Sequence, residues 1–224
     1  MKLALQTAAS MVFGLFFFGV VLFLPAWTFH YWQAWVFIAV FSAATVIPSI
    51  YLAVTNPDAL RRRLHAGPTA ETRTTQKFVM VGTTLSVVAV MVISALDHRF
   101  GWSDVPTSLV VAGNILVGVG LALAQFVVIQ NGYAAATIRV EDDQPLVSTG
   151  LYGMVRHPLY VGALIMMVGT PFALDSYWGL IAIVPGLLAL CIRILDEEKM
   201  LRQDLAGYDA YMHDVRYRLV PYVW

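Results

Sequence analysis

From residue 149 the chain reads TGLYGMVRHPLYVG, and from residue 193 it reads RILDEEKML. The first stretch sets Arg156 and His157 directly before Pro158, with Tyr152 and Tyr160 close by. The second sets Arg193 four residues before Glu197, so that both share one face of a helix, with Glu198 next to them. Proline suits the first turn of a helix, where its missing N–H is no loss, so Arg156 and His157 are expected at a helix N-terminus, a position that favours anions. Cations, a carboxylate and aromatic rings at one place suit a zwitterionic ligand with a planar ring. The carboxylate accepts an amine, a cation or helix N-terminus takes a carboxylate, and tyrosines line an aromatic base. Taken singly, the same residues have a plainer reading: arginines that snorkel to a membrane interface and tyrosines of an aromatic belt.

The elements that must position them are membrane helices. Hydrophobic residues make up 59% of the chain and charged ones 12%, against about 45–50% and about 25% in ordinary soluble domains. Four charge-free stretches, Ala8 to Leu24, Ala34 to Val54, Phe78 to Leu96 and Ser108 to Ile129, are each long enough to cross a ~30 Å hydrocarbon core as a helix. Two shorter apolar runs follow, Leu159 to Leu174 and Tyr177 to Leu195, parted by Asp175 and Ser176. They read as a tight C-terminal helical hairpin that only just spans, which brings His157 and Tyr160 opposite Arg193 and Glu197. The expected fold is therefore all-α and polytopic, with about six transmembrane helices. Of the 14 Lys and Arg residues, Arg99 alone falls on one side of such an arrangement. That asymmetry predicts both termini, and the charged cluster, on the cytoplasmic side of an integral membrane protein, and the plain compact architecture without an organelle signal suggests a prokaryotic inner membrane. Lys2 and the first apolar run lack a small-residue cleavage site and are read as a retained helix.

The remaining polar material gives less. Asn56 to Gln76 is broken by Asn-Pro and Gly-Pro pairs into a short helix and a loop. Its arginine run, Arg61 to Arg63, reads as an orientation anchor and is assigned no chemistry. Ile138 to Val140 suits a short extended segment, and Glu141 to Pro145 a turn. In the tail, Leu201, Leu205, Tyr208, Met212 and Val215 recur at helical spacing and predict an amphipathic cytoplasmic segment, bent at Gly207, that folds back on the helices. Gly118 and Gly120 suit helix packing rather than nucleotide binding, and Asn114 and Gln125 suit interhelical hydrogen bonds. Cys191 stands alone, and the histidines outside the cluster show no ligand spacing, so no metal is expected. Residues 1–224 read as one membrane domain, in which 1–130 is a four-span scaffold and 131–224 the working half. Nothing suggests a nucleic-acid partner.

In order and spacing, QPLVSTGLYGMVRHPLYVG and RILDEEKML, followed by GYDAYMHDVRYRLVP, resemble the isoprenylcysteine carboxyl methyltransferase family of membrane enzymes that use S-adenosylmethionine. The resemblance implies that Gln144, Pro145, Leu146, Val147, Tyr152, Arg156, His157, Pro158, Leu159 and Tyr160 line the cofactor pocket. It further implies that Glu197 holds the cofactor's amino group, that Glu198 belongs to the same cofactor-binding set, that Arg193 faces the methyl acceptor, and that Arg139 matches a further cofactor-contacting position. Leu151 stands where many relatives have proline, and Gly153 where they have a larger residue; both loosen the turn without removing a functional side chain. The implied reaction is direct transfer to a lipophilic acceptor, such as an isoprenylcysteine-type carboxylate, that enters from the surrounding membrane lipids while the soluble cofactor enters from the cytoplasm. Alignment of nucleophile, methyl and leaving sulfur is then the main task, because the sulfonium methyl is already activated. Two other classes fit the same elements: a membrane reductase using a reduced nicotinamide dinucleotide, and a non-enzymatic scaffold.

Overall fold

The computed structural model describes residues 2–64, 73–134 and 144–224. Among them the architecture is all-helical. α1 (Lys2–Phe18) runs through a π-helical turn (Gly19–Phe23) into α2 (Leu24–Ala26), and α3 (Trp32–Thr55), α4 (Pro57–Leu64), α5 (Thr74–Phe100) and α6 (Thr107–Gln130) follow. A 3-10 turn (Gly150–Gly153) leads to α7 (Pro158–Ala173), α8 (Gly179–Asp204) and the short α9 (Tyr208–Asp214). Five helical stretches are long and apolar enough to cross a membrane: Leu5–Ala26, α3, α5, α6 and α8. The expected sixth, α7, has 16 residues, or ~24 Å of helix against a ~30 Å core. Pro158 sets its start, and its end turns sharply at Leu174 and Asp175, the latter with φ 61°.

α7 and α8 follow each other in sequence but find their main partners elsewhere: α7 lies along α6, and α8 lies along α5. Glycine decides the first pairing. A Cβ on Gly120 would stand 2.5 Å from the Gly162 carbonyl oxygen, and one on Gly169 would stand 2.8 Å from that of Gly113. The two backbones therefore touch twice, one heptad apart, as small residues allow where the surrounding solvent is apolar. Gly118 faces Val40 instead and takes no part. Asn114 was expected to bridge helices, but its side-chain amide donates within α6 to the Val110 carbonyl (2.9 Å). Gln125 does bridge, accepting from Arg63 of α4.

Hydrogen bonds tie the end of the bundle away from the charged cluster. Asp97, fully buried, accepts from the Ser103 N–H and hydroxyl (2.7 Å each) and from the Ser176 hydroxyl (2.6 Å). Tyr31 donates to the Leu174 carbonyl (2.5 Å), and Gln33 to Asp175 (2.7 Å). These bonds join the start of α3, the end of α5 and the turn between α7 and α8. At the other end the tail folds back as its apolar spacing requires. Gly207, at φ 83°, supplies the bend. Tyr208, Tyr211 and Val215 then pack with Leu146, Leu201, Leu205 and Met212. The chain continues so that the Arg156 and His157 N–H groups donate to the Tyr217 and Arg218 carbonyls (2.9 and 3.0 Å).

Candidate functional site

Two networks meet where α7 begins and α8 ends. The first is centred on Glu198. One carboxylate oxygen accepts from Arg156 Nε at 2.7 Å and lies 3.3 Å from His157 Nε2, while the other accepts from Arg218 Nε at 2.9 Å. Arg156 also donates through Nη1 to the Val215 and Arg216 carbonyls, at 2.8 Å each. Arg156, His157 and Glu198 are all buried. This network fixes the tail against the start of α7, and its hydrogen-bonding capacity is largely used internally.

The second network is more open. Tyr160 donates to Glu197 Oε2 at 2.6 Å and accepts from Arg193 Nε at 2.9 Å. Arg193 Nη1 donates to Gln76 (3.0 Å), Gln76 to Asp196 (2.6 Å), and Arg73 forks onto both Asp196 oxygens (2.6 and 3.2 Å). The His157 and Tyr160 rings stack with centroids 5.6 Å apart, and His157 Nδ1 lies 3.8 Å from Glu197. Nearby, Tyr211 donates to the Tyr152 carbonyl (2.7 Å), and Asn131 to the Tyr152 hydroxyl (3.2 Å). Burial pushes the Tyr152 hydroxyl up to about 12, with the Asn131 bond opposing and the Glu197 charge adding, so it stays protonated at neutral pH. Tyr208 carries a buried hydroxyl without a hydrogen-bond partner among the described residues.

Of the residues singled out in the sequence, Tyr152, Arg156, His157, Pro158, Tyr160, Arg193, Glu197 and Glu198 come together here. Leu146 packs on the tail tyrosines, Val147 and Gln144 are half-buried, and Pro145 is exposed. Arg139, the segment Ile138 to Val140 and the residues Glu141 to Asp143 lie outside the described residues. Leu159 lines an apolar cavity of about 460 Å³ between α5, α6, α7 and α8. Met80, Leu121, Val128, Met166 and Leu190 line that cavity, with Tyr160 and Arg193 in its wall. A second cavity of about 330 Å³ shares Thr83, Ala163, Met166 and Leu190 with it and reaches Phe18, Phe37 and Phe41. The walls thus draw on both parts of the chain.

Sequence reasoning missed Arg63. It lines the cavity and donates to Gln125. Burial lowers its guanidinium from the ordinary value. The signal was present: Arg63 lies four and three residues after Ala59 and Leu60, the buried residues of α4, on the same helical face. Asn56 caps that helix by accepting from the Ala59 N–H (3.1 Å).

A polar cluster that opens onto an apolar cavity, at the start of one helix and the end of another, is the setting for the comparison with known proteins. Residues 108–206 match the phospholipid methyltransferase family. That segment is a little under half of the chain and contains the stretches from Gln144 to Gly162 and Arg193 to Leu201 that carry the resemblance described above. A curated relative, the Delta(14)-sterol reductase TM7SF2 of Mus musculus, is 33% identical over 95 residues, 39% of this chain and 22% of that protein. This chain therefore spans about a fifth of that relative's length. Among solved structures, the eukaryotic intramembrane Ras methyltransferase ICMT (isoprenylcysteine carboxyl methyltransferase) superposes with a TM-score of 0.48 at 19% identity, covering 96% of this chain and 86% of that one.

Proposed function

We propose that this protein is an integral membrane methyltransferase that moves a methyl group from S-adenosylmethionine to a lipophilic acceptor. Its site faces the cytoplasm, as the Lys and Arg asymmetry favours. The observation that carries the reading is the Arg193–Tyr160–Glu197 chain, set where the polar cluster meets the apolar cavity and inside the segment that matches the family.

The donor set fits the cofactor. Glu197 offers a partly exposed carboxylate for an amino group. The unpartnered Tyr208 hydroxyl offers a buried donor for an acceptor oxygen, and Tyr152, His157 and Tyr160 offer ring faces for a base. When bound, S-adenosylmethionine supplies an activated methyl on a sulfonium. Glu197 and Tyr160 orient the ligand, while Arg193, held by Tyr160 and Gln76, faces the cavity and positions the acceptor. Apolar walls keep water from the transfer path. The Glu198 network positions this machinery: it holds the first turn of α7 and the tail in register.

The stretch shared with a sterol reductase favours a second reading, a reductase that uses a reduced nicotinamide dinucleotide. Such a ligand needs cations for its phosphates, yet Arg73, Arg156, Arg202 and Arg218 are each engaged by a carboxylate. Calorimetric titration of detergent-purified protein with S-adenosylhomocysteine separates the readings. Saturable binding is expected, weakened about 10- to 100-fold in Glu197→Gln, as the loss of one charge-assisted hydrogen bond requires. Binding of NADPH in its place would establish the reductase, and binding of neither would leave a scaffold.

A further inference from the structure

Arg63 differs from the arginines that pair with a carboxylate. Arg61 pairs with Asp58, Arg73 with Asp196, Arg156 and Arg218 with Glu198, and Arg202 with Asp209. Arg63, largely covered by protein, has the neutral Gln125 side chain as its hydrogen-bond partner and no carboxylate among the described residues. Arg63 lines the cavity whose wall Arg193 and Tyr160 also form. A half-buried cation beside an apolar cavity is stabilised by an anion that meets it, and the fold itself supplies none among the described residues. The rest of the wall is apolar, and the adjoining cavity extends it toward Phe18, Phe37 and Phe41.

We propose that Arg63 is a specificity-determining residue of the acceptor site, holding a negative group of an acidic amphiphile whose apolar body fills the cavity between α5, α6, α7 and α8. This deepens the methyltransferase reading and rests on it for the word acceptor; the binding claim itself does not need the cofactor. Carboxylate and phosphate amphiphiles share the required chemistry, whereas an alcohol or amine of equal chain length lacks it. α4 then acts as the wall of the site that reads charge, with Ala59 and Leu60 buried to hold it in place.

The test is calorimetric titration of the full chain in a non-ionic detergent at neutral pH with oleate, oleoyl lysophosphatidate, oleyl alcohol and oleylamine. At least one acid should bind on the order of tenfold or more tighter than the alcohol, as a charge-assisted contact implies, and the stronger of the two acids identifies the anion. Arg63→Gln should remove the preference and Arg63→Lys should retain most of it. Gln125→Glu, which places a carboxylate beside Arg63 and so supplies the missing counter-ion, should also abolish it; this variant decides the matter even if Arg63→Gln does not fold. Equal binding of acids and alcohol by the wild type would overturn the proposal, as would a preference that survives both Arg63→Gln and Gln125→Glu. Acid preference without S-adenosylhomocysteine binding would remove the methyltransferase reading and leave this one standing, and the reverse result would do the opposite.

Discussion

The two adjacent glutamates of α8 should fail in different ways when substituted. Glu198 is buried and takes hydrogen bonds from Arg156 and Arg218, with His157 at 3.3 Å. Glu198→Gln replaces one acceptor oxygen with an NH₂ group, which then points at a donor whichever way the amide turns. The negative charge is lost, and Arg156 is left buried without its counter-ion. Breaking a buried pair in this way costs about 3–5 kcal/mol. In a chain of this size each kcal/mol moves a thermal midpoint by about 2–4 °C, so a fall of roughly 10 °C is expected in detergent. Because the same network holds the tail against residues 156 and 157, proteolysis between α8 and the C-terminus should quicken in parallel. Glu197, by contrast, is partly exposed, and its short contact is with Tyr160. Glu197→Gln should shift the midpoint by no more than about 2–4 °C, the equivalent of one ordinary hydrogen bond, while losing S-adenosylhomocysteine affinity. An unchanged midpoint in Glu198→Gln, together with lost ligand binding, would refute this separation of a positioning glutamate from a binding one.

Gly120→Ala would drive a Cβ into the Gly162 carbonyl region of α7, and a loss of about 1–3 kcal/mol is expected, read as a lowered midpoint in the same detergent. At the far end of the bundle, Asp97→Ala orphans the Ser103 and Ser176 hydroxyls. It should cost about 1–3 kcal/mol while leaving S-adenosylhomocysteine affinity, measured well below the midpoint, unchanged.

The parts of this molecule that hydropathy and local spacing govern were legible in the sequence. Pro158 opens α7, Gly207 bends the tail, and His157 and Tyr160 stand opposite Arg193 and Glu197, as expected. What was not legible depends on which helix lies beside which. Nothing in a linear apolar run says that α7 rests on α6 rather than on α8; the Gly113/Gly120 and Gly162/Gly169 pairs do, once both helices are placed. Arg156 and Glu198 read as ligand contacts because a cation and a carboxylate near a pocket suggest one. Folding back of the tail, which brings Arg218 and the Val215 and Arg216 carbonyls to them, gives both structural partners that no local spacing shows. Arg63 went unread for the opposite reason. Three consecutive arginines look alike in sequence, and helical phase distinguishes the third by turning it toward buried Ala59 and Leu60.

These placements converge on the first turn of α7. On one side Gly120 and Gly162 bring the α6 and α7 backbones into contact, and on the other the Arg156–Glu198–Arg218 network clamps the residues before Pro158. Tyr160 lies between the two constraints, and its hydroxyl joins Arg193, at the cavity, to Glu197, in the polar cluster. A methyl transfer needs donor and acceptor aligned to within a fraction of an ångström. Here that alignment would be set by how firmly α7 is held, because the ligand-facing side chains hang from its first turn and from the end of α8. Close packing and a buried ion network are stiff devices, and they lie beside a cavity that is left open. On the proposed reading, an amphiphilic acceptor would therefore exchange through that cavity without disturbing the polar side on which the cofactor would be held.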